Sequence, residues 1–121
     1  MLMKISPHFH RSEFACKCGC GYDTADIELV EMLEIIRGRY DVPVTVNSGC
    51  RCAEHNKSIN GSENSQHLLG RAADILVQSV DPERVANFIN RHAPNKFGVG
   101  IYDTWVHIDS RENPARWDKR L

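Results

Sequence analysis

The sequence contains no long apolar run. Its hydrophobic residues come in short stretches such as Ile75-Leu76-Val77, far below the roughly 20 residues a bilayer-spanning helix needs, which excludes membrane insertion by a helix. No excess of either charge is present. Lys plus Arg number 15 and Asp plus Glu 16, a formal net charge of -1, so nucleic-acid binding by bulk electrostatics is excluded. Internal repeats and low-complexity tracts are also missing. The first stretch, Met1 to Glu13, lacks the apolar segment of a secretory signal, because His8, His10, Arg11 and Glu13 fall where it would lie. Synthesis in the cytoplasm is therefore expected, with some other factor carrying the protein out if it works outside.

An even cysteine count is the last absence. With Cys16, Cys18, Cys20, Cys50 and Cys52, a complete disulfide framework would leave one thiol over, and the missing signal points to a reducing compartment. Three states stay open for Cys16-x-Cys18-x-Cys20 and Cys50-x-Cys52: a second, structural thiolate metal site, a disulfide, or unbridged thiols. The spacing of one residue departs from the two residues usual between zinc-binding cysteines.

What is present is one small domain over residues 1–121, with 41% hydrophobic and 26% charged residues, the balance of a folded globular chain. Helical spacing of Ile27, Val30, Leu33 and Ile36 or Arg37 predicts a helix over about 26–40, with Thr24 or Asp26 as cap. Val42, Val44 and Val46 alternate with polar residues as a half-buried strand ending at Ser48-Gly49, with Pro43 favouring its start or a sheet edge. A short helix over 53–59 and a polar loop over 60–65 follow. Ala72 to Val77 reads as a strand. Asp81-Pro82-Glu83 caps and starts a helix with Val85, Phe88 and Ile89 on its apolar face, ending near His92. Strands over 96–102 and 105–109, joined tightly through Asp103-Thr104, form a hairpin, and the tail with Pro114 and Trp117 is expected to pack back. The fold class is α+β: a small, mainly antiparallel sheet with helices against it.

Chemistry concentrates in Ser65-Gln66-His67-Leu68-Leu69-Gly70-Arg71-Ala72-Ala73-Asp74. Strand alternation puts Asp74 on one face with Ala72 and Leu76, in a segment otherwise suited to burial, so its carboxylate needs a partner. On the last strand Trp105, His107 and Asp109 share a face. His67, on the loop entering the Asp74 strand, can fold over the same place, with Gly70 permitting the turn. Two imidazoles and one carboxylate form a common catalytic zinc set, leaving the ion a Lewis acid that lowers the pKa of bound water to about 7. Ordinary alternatives are a hydrogen-bonded core histidine and an ion pair of Asp74 with Arg71 or Arg51.

The pattern Ser-x-His-x-x-Gly-x-Ala-x-Asp, followed by a strand with a further His, resembles the zinc D-Ala-D-Ala carboxypeptidases and related phage endolysins. These belong to the group named for lysostaphin, the carboxypeptidases and the hedgehog signalling domain. Asn47-Ser48-Gly49-Cys50-Arg51 to Asn56 resembles the family's Ser-Gly-Tyr-Arg segment, and Val99 to Tyr102 with Val106 to Asp109 resembles its closing strands; the likeness runs from about Ser6 to Trp117. The resemblance implies a hedgehog/D-Ala-D-Ala peptidase-like fold with Zn²⁺ on His67, Asp74 and His107. It implies Arg51 binding substrate and steadying the oxyanion, and Ser65 and Gln66 lining the substrate side.

The general base is where the chain departs from the family. Many relatives carry Glu three residues before the last zinc histidine, and here that position is Thr104. Asp103 is expected as the base, with Asp109 as the other candidate or as the group orienting a histidine. The expected function is hydrolysis of peptidoglycan stem peptides, of the D-Ala-D-Ala carboxypeptidase or L-Ala-D-Glu endopeptidase type, by a monomer acting on the cell wall after release in phage-type lysis. Two rivals stand beside it. One is a non-catalytic wall-binding module, and the other a cysteine peptidase using Cys52 and His107.

Overall fold

The computed structural model describes residues 4–121; Met1 to Met3, the start of the expected domain and of the leader reading, lie outside the described residues. A small antiparallel hairpin of β1 (Lys4–Ser6) and β2 (Phe9–His10) leads through a 3-10 turn, Arg11–Phe14, into the loop before α1 (Ile27–Tyr40). Then follow β3 (Val44–Ser48), α2 (Ala53–Ser58), a second 3-10 turn Gln66–Leu69, β4 (Ala72–Val77) and α3 (Pro82–His92). Strands β5 (Gly98–Ile101), β6 (Val106–Asp109) and β7 (Ala115–Asp118) complete the chain. The main sheet runs β3-β4-β6-β5-β7, antiparallel except for the parallel β5/β7 pair. This is the expected α+β architecture.

One face of the sheet carries Val44, Val46, Ala73, Ile75, Val77, Val99, Val106 and Ile108 into the core, where α1 and α3 cover it. Pro43 precedes β3, which is an edge strand, so the missing N–H costs the sheet nothing. The Asp81 side chain accepts the Glu83 N–H at 3.0 Å, with Pro82 in the first turn of α3. In α1 the buried stripe is Leu29, Val30, Met32, Leu33 and Ile36, whereas Ile27 is 71% exposed. The buried face of α1 therefore begins at Leu29 rather than Ile27 and keeps the expected Val30, Leu33 and Ile36.

Three elements go beyond the expected plan. The β1/β2 hairpin is anchored by Glu34 of α1, which accepts from the Ser6 hydroxyl at 2.5 Å and the His8 N–H at 2.7 Å. The strand expected from residue 96 begins at Gly98. The tail does not merely pack back: it pairs with β5 as the sheet's far edge, with Gly100 beside Trp117.

Candidate active site

The second face of the sheet carries the polar cluster, and register assembles it. Asp74 on β4 lies directly across from His107 on β6, and Ala72 directly across from Asp109. On the other side of β6, His107 faces Gly100 and Asp109 faces Gly98. Residues without bulk therefore flank both functional side chains. A Cβ on Gly98 would lie 2.5 Å from both Asp109 carboxylate oxygens and from Arg111 Nε, and one on Gly100 would strike the Trp117 indole.

His67 reaches the same place from the 3-10 turn before β4. The Ser65 hydroxyl oxygen caps that turn by accepting the His67 N–H at 3.1 Å. Gly70 ends it with φ +68°, in a position where any Cβ would meet the Thr24 carbonyl at 2.7 Å, so the chain reverses into β4 only with glycine there. The His67 Nδ1–H donates to the Gly49 carbonyl at 2.6 Å. A carbonyl only accepts, so this bond fixes the tautomer and leaves the Nε2 lone pair facing Asp74 Oδ1, 3.4 Å away.

His107 Nδ1 lies 3.0 Å from the same Asp74 oxygen, while its Nε2 meets Asp109 Oδ2 at 2.7 Å. Burial alone would raise the carboxyl of Asp74, but the hydrogen bond from His107 and the two imidazoles beside it hold it well below the usual carboxylate range. Asp109, itself fully buried, is likewise pulled down by Arg111 and His107 against the cost of burial. Burial would lower His107, yet its bonds to Asp109 and Asp74 raise it.

The ligating atoms of His67, Asp74 and His107 all lie within 4.8 Å of one another. His67 Nε2 is buried and has no hydrogen-bond partner among the described residues. An orphaned imidazole nitrogen of fixed tautomer, aimed at a carboxylate and a second imidazole, is the arrangement a zinc ion satisfies, so the donor set fits that metal.

Arg51 borders the cluster. Its Nη2 is 3.4 Å from Asp74 Oδ2, its Nε donates to Ser48 Oγ and its Nη1 to Asn56 Oδ1, each at 3.2 Å. Burial lowers its pKa from the free value, offset only in part by Asp74. An open cleft of about 760 Å³ lies above the cluster, and Arg51, Ser65, Gln66, Tyr102, Trp105 and Trp117 are among its walls. Gln66 Oε1 is buried without a partner among the described residues.

Two expected site residues lie elsewhere. Asp103 does not line the cleft: it sits at the exposed tip of the β5/β6 turn, and its Oδ1 accepts the Leu121 N–H at 3.0 Å. Tyr102 and Trp105 stack at 4.6 Å at the base of that turn and take the wall position, turning the tip toward the C-terminal tail. Asp74 is the one carboxylate among the described residues that line the cleft. Cys52 is also outside it, with Sγ beside Cys16 and Cys18, while both His107 nitrogens face aspartates. A Cys52–His107 nucleophilic pair is not formed.

Arg111 and Trp117 escaped the sequence reading. Arg111 donates to Asp109 from Nε at 2.8 Å and Nη2 at 2.7 Å and lies over the Trp117 ring, 5.1 Å from its centroid. The alternation 107, 109, 111 pointed to Arg111, whereas Trp117 carried no signal before β7 was known to pair with β5.

A 35-residue stretch of the chain is 46% identical to the zinc D-Ala-D-Ala carboxypeptidase of Streptomyces albus G; it covers 29% of this chain and only 14% of that relative's length. A family model described as Peptidase M15 matches residues 7–109, a span that holds Arg51 and the whole His67, Asp74 and His107 cluster. With most of its length accounted for in this way, the chain belongs to the peptidase M15 family.

Proposed function

We propose that this domain is a zinc-dependent peptidase acting on the peptide stems of bacterial cell wall. The observation that carries the reading is the convergence of His67 Nε2, Asp74 Oδ1 and His107 Nδ1 on the floor of a cleft that also presents Arg51. Family membership and the carboxypeptidase relative support the reaction class. His67, Asp74 and His107 would hold a zinc ion, which when bound would supply the Lewis acidity that polarises a carbonyl and acidifies water.

The chain's own residues supply charge, orientation and substrate contacts around it. Arg51 is held by Ser48 and Asn56, so its charge is in place before reaction and stabilises a developing oxyanion without reorganisation. Asp109 fixes the ring of His107. The unpaired Gln66 Oε1 offers an acceptor to a substrate N–H, beside Ser65. Arg51, Arg111 and Lys119 line the cleft against the single carboxylate of Asp74, a balance that favours anionic stem peptides. The bond cut is the terminal D-Ala-D-Ala bond or the L-Ala-D-Glu bond, and the setting is phage-type lysis by a monomer that reaches the wall after release.

The test is mass spectrometry of purified peptidoglycan incubated with metal-free and with zinc-loaded protein. Zinc-dependent release of D-Ala or of stem fragments is expected, and the fragment masses name the bond. Intact wall after incubation with zinc-loaded, folded protein would leave the non-catalytic wall-binding reading in its place.

A further inference from the structure

The five cysteines divide into four and one. The sulfurs of Cys16, Cys18, Cys20 and Cys52 all lie within 4.8 Å of one another, and none is bridged. Cys16 Sγ is 3.4 Å from Cys18 Sγ and 3.9 Å from Cys52 Sγ, and Cys18 Sγ is 3.7 Å from Cys52 Sγ. Four sulfurs about 2.3 Å from a tetrahedral zinc ion stand roughly 3.8 Å apart, so these separations bracket the edge of that tetrahedron. Cys50 is excluded by its own bond, since its S–H donates to the Tyr22 carbonyl at 2.8 Å.

The backbone around the four sulfurs donates rather than accepts. The Cys52 N–H points to Cys16 Sγ and the His55 N–H to Cys52 Sγ, each at 3.4 Å, a polarity that suits thiolates. The one-residue spacing that seemed unsuited to zinc works through the loop's turns. Gly19 and Gly21 take φ of +81° and +93°, Gly19 N–H bonds the Cys16 carbonyl, and Cys16 N–H bonds the Tyr22 carbonyl, so residues 16–22 curl around one point.

We propose that Cys16, Cys18, Cys20 and Cys52 form a second, structural zinc site, separate from the His67, Asp74 and His107 cluster. Its position gives it a task. It ties the 16–22 loop to Cys52, the neighbour of Arg51, in a segment whose Gly49 carbonyl holds His67 and whose Arg51 N–H bonds the His67 carbonyl. With four protein ligands the site has no open position, which makes it structural rather than catalytic.

The test uses the whole chain, purified under reducing conditions. Cobalt substitution of the wild type is expected to give intense sulfur-to-cobalt charge-transfer absorption in the near ultraviolet, a signature the nitrogen and oxygen donors of the other cluster cannot produce. The His67→Ala/His107→Ala variant should keep that band, and Cys18→Ser/Cys20→Ser should lose it together with one zinc per chain. In the zinc-loaded wild type, Cys18 and Cys20 should resist alkylation despite their exposure, until a strong chelator strips the metal and frees the thiols. Because the wild-type spectrum and thiol labelling need no variant, a misfolded mutant does not blunt the test. A cobalt protein without the sulfur band, Cys18 and Cys20 alkylated as fast as free thiols, or a mass showing a disulfide among the four would each overturn the proposal.

Discussion

His107 and Asp109, two residues apart on one face of β6, meet through Nε2 and Oδ2 at 2.7 Å, and the aspartate is in turn clamped by Arg111 and the Gly98 N–H. A carboxylate so fully engaged orients the imidazole. Asp109→Asn is expected to weaken zinc affinity by about 10- to 100-fold, measured by competition with a chromogenic chelator. Unaltered affinity in a folded variant would remove Asp109 from the site's support.

Arg51→Ala should retain zinc while lowering kcat/KM on stem peptides by about 10²- to 10³-fold, the loss typical of removing a preorganised oxyanion donor. Metal content and a melting curve check that the cluster survives. A change confined to KM would make Arg51 a binding residue only.

Asp103→Asn should change hydrolysis by no more than a few-fold, because the carboxylate is turned toward the Leu121 N–H on the exposed rim of the turn. Steady-state kinetics decide this. Loss of most activity with zinc retained would show that Asp103 enters the cleft during turnover and serves as the base.

Gly98→Ala tests the space beside Asp109. Its Cβ would lie 2.5 Å from both carboxylate oxygens, all in the interior, so a loss of about 1 to 3 kcal/mol in chemical denaturation is expected, together with weaker zinc binding. Wild-type stability in this variant would mean that β5 can shift away from β6 without cost.

Glu34 carries a pH dependence. Burial alone would raise its carboxyl, but the Ser6 hydroxyl and the His8 N–H and ring bond it and hold it below the ordinary glutamate range. A depressed folded pKa contributes stability that is fully present above the unfolded value of about 4.3 and is lost as pH falls through the folded one. Glu34→Gln should therefore be less stable by about 1 kcal/mol at neutral pH, with the gap to wild type closing in acid. Parallel denaturation curves from neutral to acidic pH provide the measurement, and a gap that widens in acid would contradict it.

The chain itself determined most of the elements and the candidate ligand set of His67, Asp74 and His107. Helical and strand periodicities are local, as are the Asp81-Pro82 start of α3 and the alternation that puts His107 and Asp109 on one face, so a linear reading reaches them. Asp74, a lone carboxylate in an apolar strand, announced its need for partners in the same way. Tertiary structure decided what depends on which backbone lies beside which. Pairing of β4 with β6 set Asp74 opposite His107, and the pairing of β5 between β6 and β7 made Gly98 and Gly100 the space for Asp109 and Trp117. The direction of Asp103 followed from the tail, whose Leu121 N–H is far away in sequence. Cys16, Cys18 and Cys20 met Cys52 and not Cys50 because two glycine turns and the path of residues 49–52 bring the Cys52 thiol to their sulfurs and turn that of Cys50 onto the Tyr22 carbonyl. Contacts between distant segments arise from strand pairing and loop closure, and no periodicity along one segment encodes them.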